Sequence, residues 1–279
     1  MRLLLIAHGS RDPRYAASFE TLCGRLAQAG HRAEAGYLGL CGPDVIEAAR
    51  RLARDVPGPC AEPIVAVPMF LNHGYHVAND VPAAVSTARA LLVSKAAIAV
   101  SAPLGPDPLL IEAMESRLRE LGVWPGDPDT AVVLASAGSS DRAARGNLEA
   151  LAERWAGSGW HGVIPAYAAA AGPDAAQAVT MARAAGARDV VIAGYFLAPG
   201  LLADRVATLA PDVPMGAPLT TPEDVDPALL RLVLRRGGEA LAAAAAEPMA
   251  GHAGKGPHNR TARPHGANRG VGALPGRKR

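Results

Sequence analysis

An internal repeat constrains the fold more than any other feature of the sequence. Residues 132–156, VVLASAGSSDRAARGNLEALAERWA, echo residues 3–27, LLLIAHGSRDPRYAASFETLCGRLA. AYAAAAGPDAAQAV at 166–179 echoes GYLGLCGPDVIEAA at 36–49, and VVIAGYFLAPGLLADRV from 190 echoes IVAVPMFLNHGYHVANDV from 64. The offsets are 129, 130 and 126, in order, as expected of a duplication with a small deletion. Gly138 falls over Gly9, Tyr167 over Tyr37, Pro173 over Pro43 and Phe196 over Phe70.

Within one copy, short apolar runs alternate with amphipathic stretches. Residues 2–7, 32–38, 64–67 and 97–100 read as strands. Tyr15, Phe19, Leu22 and Leu26 lie on one helical face, and Gly30 ends that helix. Val45, Ala49 and Leu52 mark a second helix; a third starts at Pro82 and runs to about 92; Leu110, Met114, Leu118 and Leu121 mark a fourth. Strands and helices in this alternation predict an α/β fold, a parallel sheet flanked by helices in each of two similar domains. The expected boundaries are 1–123 for the first half, 124–247 for a degenerate second half and 248–279 for a tail, with the Pro- and Gly-rich stretch 122–130 as linker. A last helix is expected from Pro227 to 246, capped by Asp226.

The chemistry-bearing residues are unevenly shared. His8 directly follows the first apolar run, and His73 and His76 lie in PMFLNHGYHVANDVP, directly after the third. Open parallel sheets bind ligands at the C-terminal ends of their strands, which places His8 and His76 face to face across a cleft. The second copy has Ala137, Pro199 and Leu202 over His8, His73 and His76, although it keeps His161 over His31. A frame that repeats without those imidazoles does not need them for packing, so they are assigned to chemistry. Neutral imidazole binds Fe²⁺, Co²⁺ and Zn²⁺ and also accepts protons near neutral pH. A pair of ligands with open positions suits a metal that is passed on, whereas a structural site closes around four.

Composition excludes several other classes. Seven of the 28 Lys and Arg fall in residues 248–279, which hold no acid; the rest of the chain is mildly acidic. That tail has few large apolar residues and is expected to be disordered, and it lacks the aromatics that stack on bases, so no nucleic-acid partner is expected. Its His252, His258 and His265 are too loosely spaced for a metal motif. Cys23, Cys41 and Cys60 are odd in number and far apart, which fits small buried thiols in a cytoplasmic protein. The N-terminal apolar run is too short for a membrane span, so no membrane partner is expected. There is no P-loop and no GxGxxG, and Ala7 stands where a histidine phosphatase carries a phosphate-gripping arginine.

LLLIAHGSRDP followed by VPMFLNHGYHVANDVP resembles the sirohydrochlorin chelatase family, the ATP-independent (class II) cobalto- and ferrochelatases, in their long two-domain form. The resemblance covers roughly residues 1–246. It implies a tetrapyrrole held between two α/β domains and insertion of Co²⁺ or Fe²⁺ into sirohydrochlorin, in sirohaem or cobalamin biosynthesis. No tightly bound cofactor is implied; the metal is a substrate. A tetrapyrrole or metal carrier using the same cleft is the alternative. Carried over by motif, His8 and His76 are the metal ligands and catalytic residues, and Leu71, Asn72, His73, Gly74 and Tyr75 contact the macrocycle. Ser10, Arg11, Arg14, Ser139, Ser140 and Arg142, in the two equivalent turns, are candidates for the substrate's carboxylates, although such residues also serve as helix caps. Many members carry a glutamate at about Gly39, which leaves Asp80 or Glu47 as replacement carboxylates. A fused pair of halves is adequate as a monomer, with a homodimer as the other expectation.

Overall fold

The structure, a computed structural model, describes residues 1–54, 63–92, 97–139, 141–169 and 172–246. Cys60, Ser140, and residues 248–279 with their histidines lie outside these. The first sheet comprises β1 (Arg2–Ala7), β2 (Arg32–Tyr37), β3 (Ile64–Pro68) and β4 (Ile98–Val100) in the order β2-β1-β3-β4. The second comprises β5 (Thr130–Ser136), β6 (Gly162–Tyr167) and β7 (Asp189–Tyr195) in the order β6-β5-β7. Every pairing between these strands is parallel. The helices are α1 (Pro13–Gln28), α2 (Val45–Ala53), α3 (Val81–Leu91), α4 (Pro108–Arg119), α5 (Arg142–Ala156), α6 (Ala175–Ala184), α7 (Leu201–Leu209) and α8 (Pro227–Ala246).

The repeat holds to the single residue. Leu5 pairs with Val67 in the first sheet, and Leu134 pairs with Ala193 in the second, as offsets of 129 and 126 require. Gly9 and Gly138 are both left-handed, at φ 91° and 87°. Asp12 and Asp141 cap α1 and α5 through the backbone N–H two residues on, and Asp44 and Asp174 cap α2 and α6 through the N–H three residues on. Only the fourth strand differs: its counterpart shrinks to one parallel bridge between Ile192 and Met215. The Gly216 N–H still reaches the Ile192 carbonyl at 2.9 Å, as Ser101 reaches Ala66.

Alternation along the strands separates three layers. Leu3 and Leu5 of β1 and Val132 and Leu134 of β5 point into one shared core with Phe19, Leu22, Met114, Leu118, Trp155, Leu229 and Leu232 from α1, α4, α5 and α8. Leu4 and Ile6 face the opposite way onto Ala48, Leu52 and Val85 of α2 and α3. Val133 and Ala135 do the same against Ala178 and Val206 of α6 and α7. A strand covered on both faces needs continuous apolar sequence, and LLLIA and AVVLA have it.

Helices α4 and α8 are exchanged between the sheets. Each starts at an Asp-Pro pair, Asp107-Pro108 and Asp226-Pro227. Helix α4 follows β4 yet packs on β7, whereas α8 crosses back onto β3, β4 and α4. Gly237 permits that approach: a Cβ there would lie 3.0 Å from the Leu3 side chain. Asp107 receives both Arg235 and Arg236, and Arg231 pairs with Glu112. Residues 1–246 thereby form one compact unit.

The stretch expected to be loop up to Pro82 is partly helical. Residues His76–Asp80 form a π-turn that runs directly into α3, closed by the Val81 N–H on the His76 carbonyl. Pro82 has no N–H to offer the carbonyl four residues back. The hydrogen-bond ladder steps out by one residue just ahead of it, a defect often found at functional sites.

Candidate functional site

β1 and β3 are neighbours, with Ile6 opposite Pro68, so the turns that follow them leave the sheet side by side. His8 stands at the end of β1, exposed. The chain turns sharply behind it because Gly9 adopts φ 91°; a Cβ there would lie 1.9 Å from the Gly39 carbonyl oxygen. The Gly39 N–H in turn donates to the His8 carbonyl at 3.2 Å. From the other side the π-turn presents His76, whose ring centroid lies 4.7 Å from that of His8 at an interplanar angle of 74°. Phe70 stacks on His76 at 6.2 Å.

The hydrogen bonds fix which nitrogens are available. His76 Nδ1 lies 2.6 Å from Asp80 Oδ2, and His8 Nδ1 lies 3.1 Å from the Gly9 carbonyl. Carboxylate and carbonyl oxygens only accept, so both Nδ1 atoms donate, and each neutral ring keeps its lone pair on Nε2. Two imidazoles bound to one ion through Nε2 at about 2.1 Å, roughly at a right angle, place their centroids about 4.5 Å apart. The observed spacing meets that requirement. Among the described residues no three His, Cys, Asp or Glu side chains converge as a metal group. The pair is therefore an open site, not a cage.

The histidines stand at the wall of a cavity of about 540 Å³ built from both halves. The first half contributes His8, Ser10, Tyr15, Phe70, Leu71, Asn72, Gly74 and His76; the second contributes Ser139, Arg145, Tyr167, Tyr195, Leu201 and Leu202, among others. The loop carrying Leu71 is clamped. The Tyr195 hydroxyl donates to the Leu71 carbonyl at 2.8 Å, and Gly105 sits so close behind it that a Cβ would lie 2.2 Å from the same oxygen. Burial pushes the phenols of Tyr15 and Tyr195 up, so both stay protonated. Asn72 Oδ1 is buried in the wall without a hydrogen-bond partner.

The model of the CbiX family matches this chain twice, over residues 2–121 and 131–239. The chain belongs to the CbiX family. This CbiX-family chain is 34% identical over 82 residues to the sirohydrochlorin cobaltochelatase of Methanopyrus kandleri, covering 29% of the chain and 54% of the relative. It is 26% identical over 144 residues to the sirohydrochlorin ferrochelatase of Priestia megaterium, covering 51% and 53%. The chain thus spans about half the length of the curated relatives it matches. In fold it is similar to SirB from Bacillus subtilis with Fe³⁺, at TM-score 0.70 and 23% identity over 88% of the chain and 98% of that structure. It is also similar to CbiX, the terminal enzyme for siroheme biosynthesis in denitrifying bacteria, at TM-score 0.55 and 19% identity over 88% and 99%.

The residues singled out from the CbiX-family motifs divide into two groups. His8, His76, Leu71, Asn72, Gly74, Ser10 and Ser139 line the cavity, and Asp80 holds His76 from behind. Six others do not line it. His73 and Tyr75, just before the π-turn, face an adjoining depression with Ser139 and Asp141; Tyr75 is 71% exposed. Arg11 and Arg142 are exposed near the starts of α1 and α5 and are not among the residues lining the cavity. Arg14 likewise pairs outside the cavity, with Asp12 and Asp204. Ser10 and Ser139 also act as turn acceptors, from the N–H groups of Asp12 and Asp141. Glu47 bonds Arg51 within α2 and takes no part in the cavity wall. The sequence reading overlooked Arg145 and Tyr195, which do line it.

Proposed function

We propose that this protein inserts Co²⁺ or Fe²⁺ into sirohydrochlorin, acting as a sirohydrochlorin chelatase. The observation that carries the reading is the His8–His76 pair, 4.7 Å apart with both Nδ1 atoms engaged, at the wall of a cavity shared by the two halves. The family membership and the two curated relatives support the substrate; those relatives are named for cobalt and for iron, and both ions suit imidazole ligands.

The chemistry follows from the donor set. Two Nε2 lone pairs hold the divalent ion with the rest of its coordination sphere open toward the cavity. The macrocycle lies between the halves, its apolar faces against Phe70, Leu71, Leu201 and Leu202. As metal–nitrogen bonds to the ring form, the pyrrole N–H protons need an acceptor within hydrogen-bond reach. As the ion passes to the ring, the two Nε2 lone pairs are released, so His8 takes up one pyrrole proton and His76 or water the other; His8 lines the cavity and its Nδ1 rests only on a neutral carbonyl. His76 is fixed through Nδ1 by Asp80, which orients the ring for the metal. Both walls of the cavity come from the same chain, so a monomer suffices.

The test is direct. Purified protein is mixed anaerobically with sirohydrochlorin and Co²⁺ or Fe²⁺, and the macrocycle's absorbance is followed. Many turnovers per protein above the uncatalysed rate support the enzyme. Binding without insertion would instead make the protein a carrier.

A further inference from the structure

We infer that Arg145 and Tyr167 form a carboxylate anchor that fixes the macrocycle from the second half, opposite the metal-binding histidines. The inference rests on the chelatase reading and adds a substrate-binding function for residues in the half that lost its histidines.

The duplication shows how the corner arose. Tyr37 in the first half is enclosed by Tyr15 and Phe19, with ring centroids at 6.2 and 5.9 Å. At the offsets of 129 and 130, Tyr167 corresponds to Tyr37, while Ala144 and Leu148 replace Tyr15 and Phe19. Two aromatic rings have become small side chains, and the cavity extends into the space over α5, lined there by Ala144, Arg145 and Leu148. Arg145 replaces Ala16 at the equivalent position. The halves differ in complementary ways: the first carries the imidazoles, and the second has the room and a guanidinium.

The chemistry of the corner suits an anion. Apart from the histidines, Arg145 is the one charged side chain among the described residues lining the cavity. Its Nη1 donates to the Ser139 carbonyl at 2.8 Å, which orients the planar group on the turn after β5. The Tyr167 side chain, only 6% exposed, lines the same cavity, and its hydroxyl is buried with no partner within hydrogen-bond geometry. A buried, unpaired hydroxyl costs about 1–3 kcal/mol unless a ligand satisfies it. Its phenol stays protonated, and so able to donate: burial raises its pKa, the neighbouring Glu149 carboxylate, a competing acceptor, adds to that, and Arg145 pulls the other way. The ring cannot turn aside, because Gly172 packs against it so tightly that a Cβ would lie 2.6 Å from its edge. A guanidinium and a phenol O–H on one wall recognise a carboxylate, and sirohydrochlorin carries carboxylates around its rim.

The experiment compares wild type with Arg145→Ala, Arg145→Lys, Arg145→Gln and Tyr167→Phe. Two quantities are measured: KM and kcat for Co²⁺ insertion, and the dissociation constant for sirohydrochlorin without metal, from the shift in macrocycle absorbance. Arg145→Ala should raise KM and the dissociation constant about tenfold, equivalent to losing about 1.4 kcal/mol, with kcat changing far less. Arg145→Lys should recover part of the loss, and Tyr167→Phe should weaken binding by about threefold. If Arg145→Ala lowers the melting temperature, Arg145→Gln, which keeps a donor to the Ser139 carbonyl, is read instead. Unchanged binding in a folded Arg145 variant overturns the anchor while leaving the chelatase intact. Wild-type protein that neither binds sirohydrochlorin nor inserts metal overturns both.

Discussion

The hydroxyl of Tyr195 donates to the carbonyl of Leu71 at 2.8 Å across 124 positions of sequence, tying the end of β7 to the loop that leads into the His76 turn. The second half, stripped of its own imidazoles, holds in place the loop that carries the first half's. Both partners line the cavity, so this bond sets the position of the turn that carries His76 relative to the opposite wall.

Tyr195→Phe removes only that donor. The Leu71 carbonyl then lacks its partner, and stability should fall by about 1–2 kcal/mol in urea unfolding. Insertion should slow severalfold, with little change in metal affinity, because both imidazoles remain. Gly105→Ala should disturb the same loop more severely, since its Cβ would occupy the space of the Leu71 carbonyl.

Asp80 orients His76 by holding its Nδ1 at 2.6 Å. Asp80→Ala should weaken Co²⁺ binding by roughly 10–100-fold in calorimetric titration. Asp80→Asn keeps an acceptor without the charge and should lose less. Equal loss in both would show that charge, not orientation, governs the site.

Gly9→Ala combines a left-handed φ with a Cβ 1.9 Å from the Gly39 oxygen. It should cost at least about 3 kcal/mol or prevent folding. Gly39→Ala faces open space and should be neutral to stability. Thermal melts of the two variants check the contrast.

Alkaline pH should unfold the protein early. Burial pushes the Cys23 thiol up to about 12 and raises the phenols of Tyr15, Tyr37 and Tyr195 above their ordinary value of about 10. These groups ionise more readily in the unfolded chain. Their contribution is therefore fully present below about pH 9 and is lost as pH rises through the folded values. Unfolding free energy measured from pH 7 to 11 should be flat at first and then fall.

Much of this was legible from residues alone. The offsets of 129 and 126 carry each pairing of the first sheet onto its equivalent in the second, as Leu5–Val67 onto Leu134–Ala193. His8 and His76 could be placed together because neighbouring strands bring their C-terminal turns side by side. The Asp80–His76 bond was not legible, since it depends on a π-turn that Pro82 forces into a segment read as loop. Arg142 stands out because it sits in the turn motif itself, whereas Arg145 lines the cavity because Ala144 and Leu148 stand in place of Tyr15 and Phe19. That signal was present in the repeat, as was the Asp-Pro pair that marks α4 and α8 as equivalents; neither becomes meaningful until the halves are seen to share a core.

The most direct measurement is the rate of Co²⁺ insertion into sirohydrochlorin by His8→Ala beside wild type, with melting temperatures recorded for both. The account predicts a loss of at least about 100-fold with an unchanged melting temperature, since His8 is exposed and bonded only to its neighbour's carbonyl. A His8→Ala protein that inserts metal at the wild-type rate would contradict it.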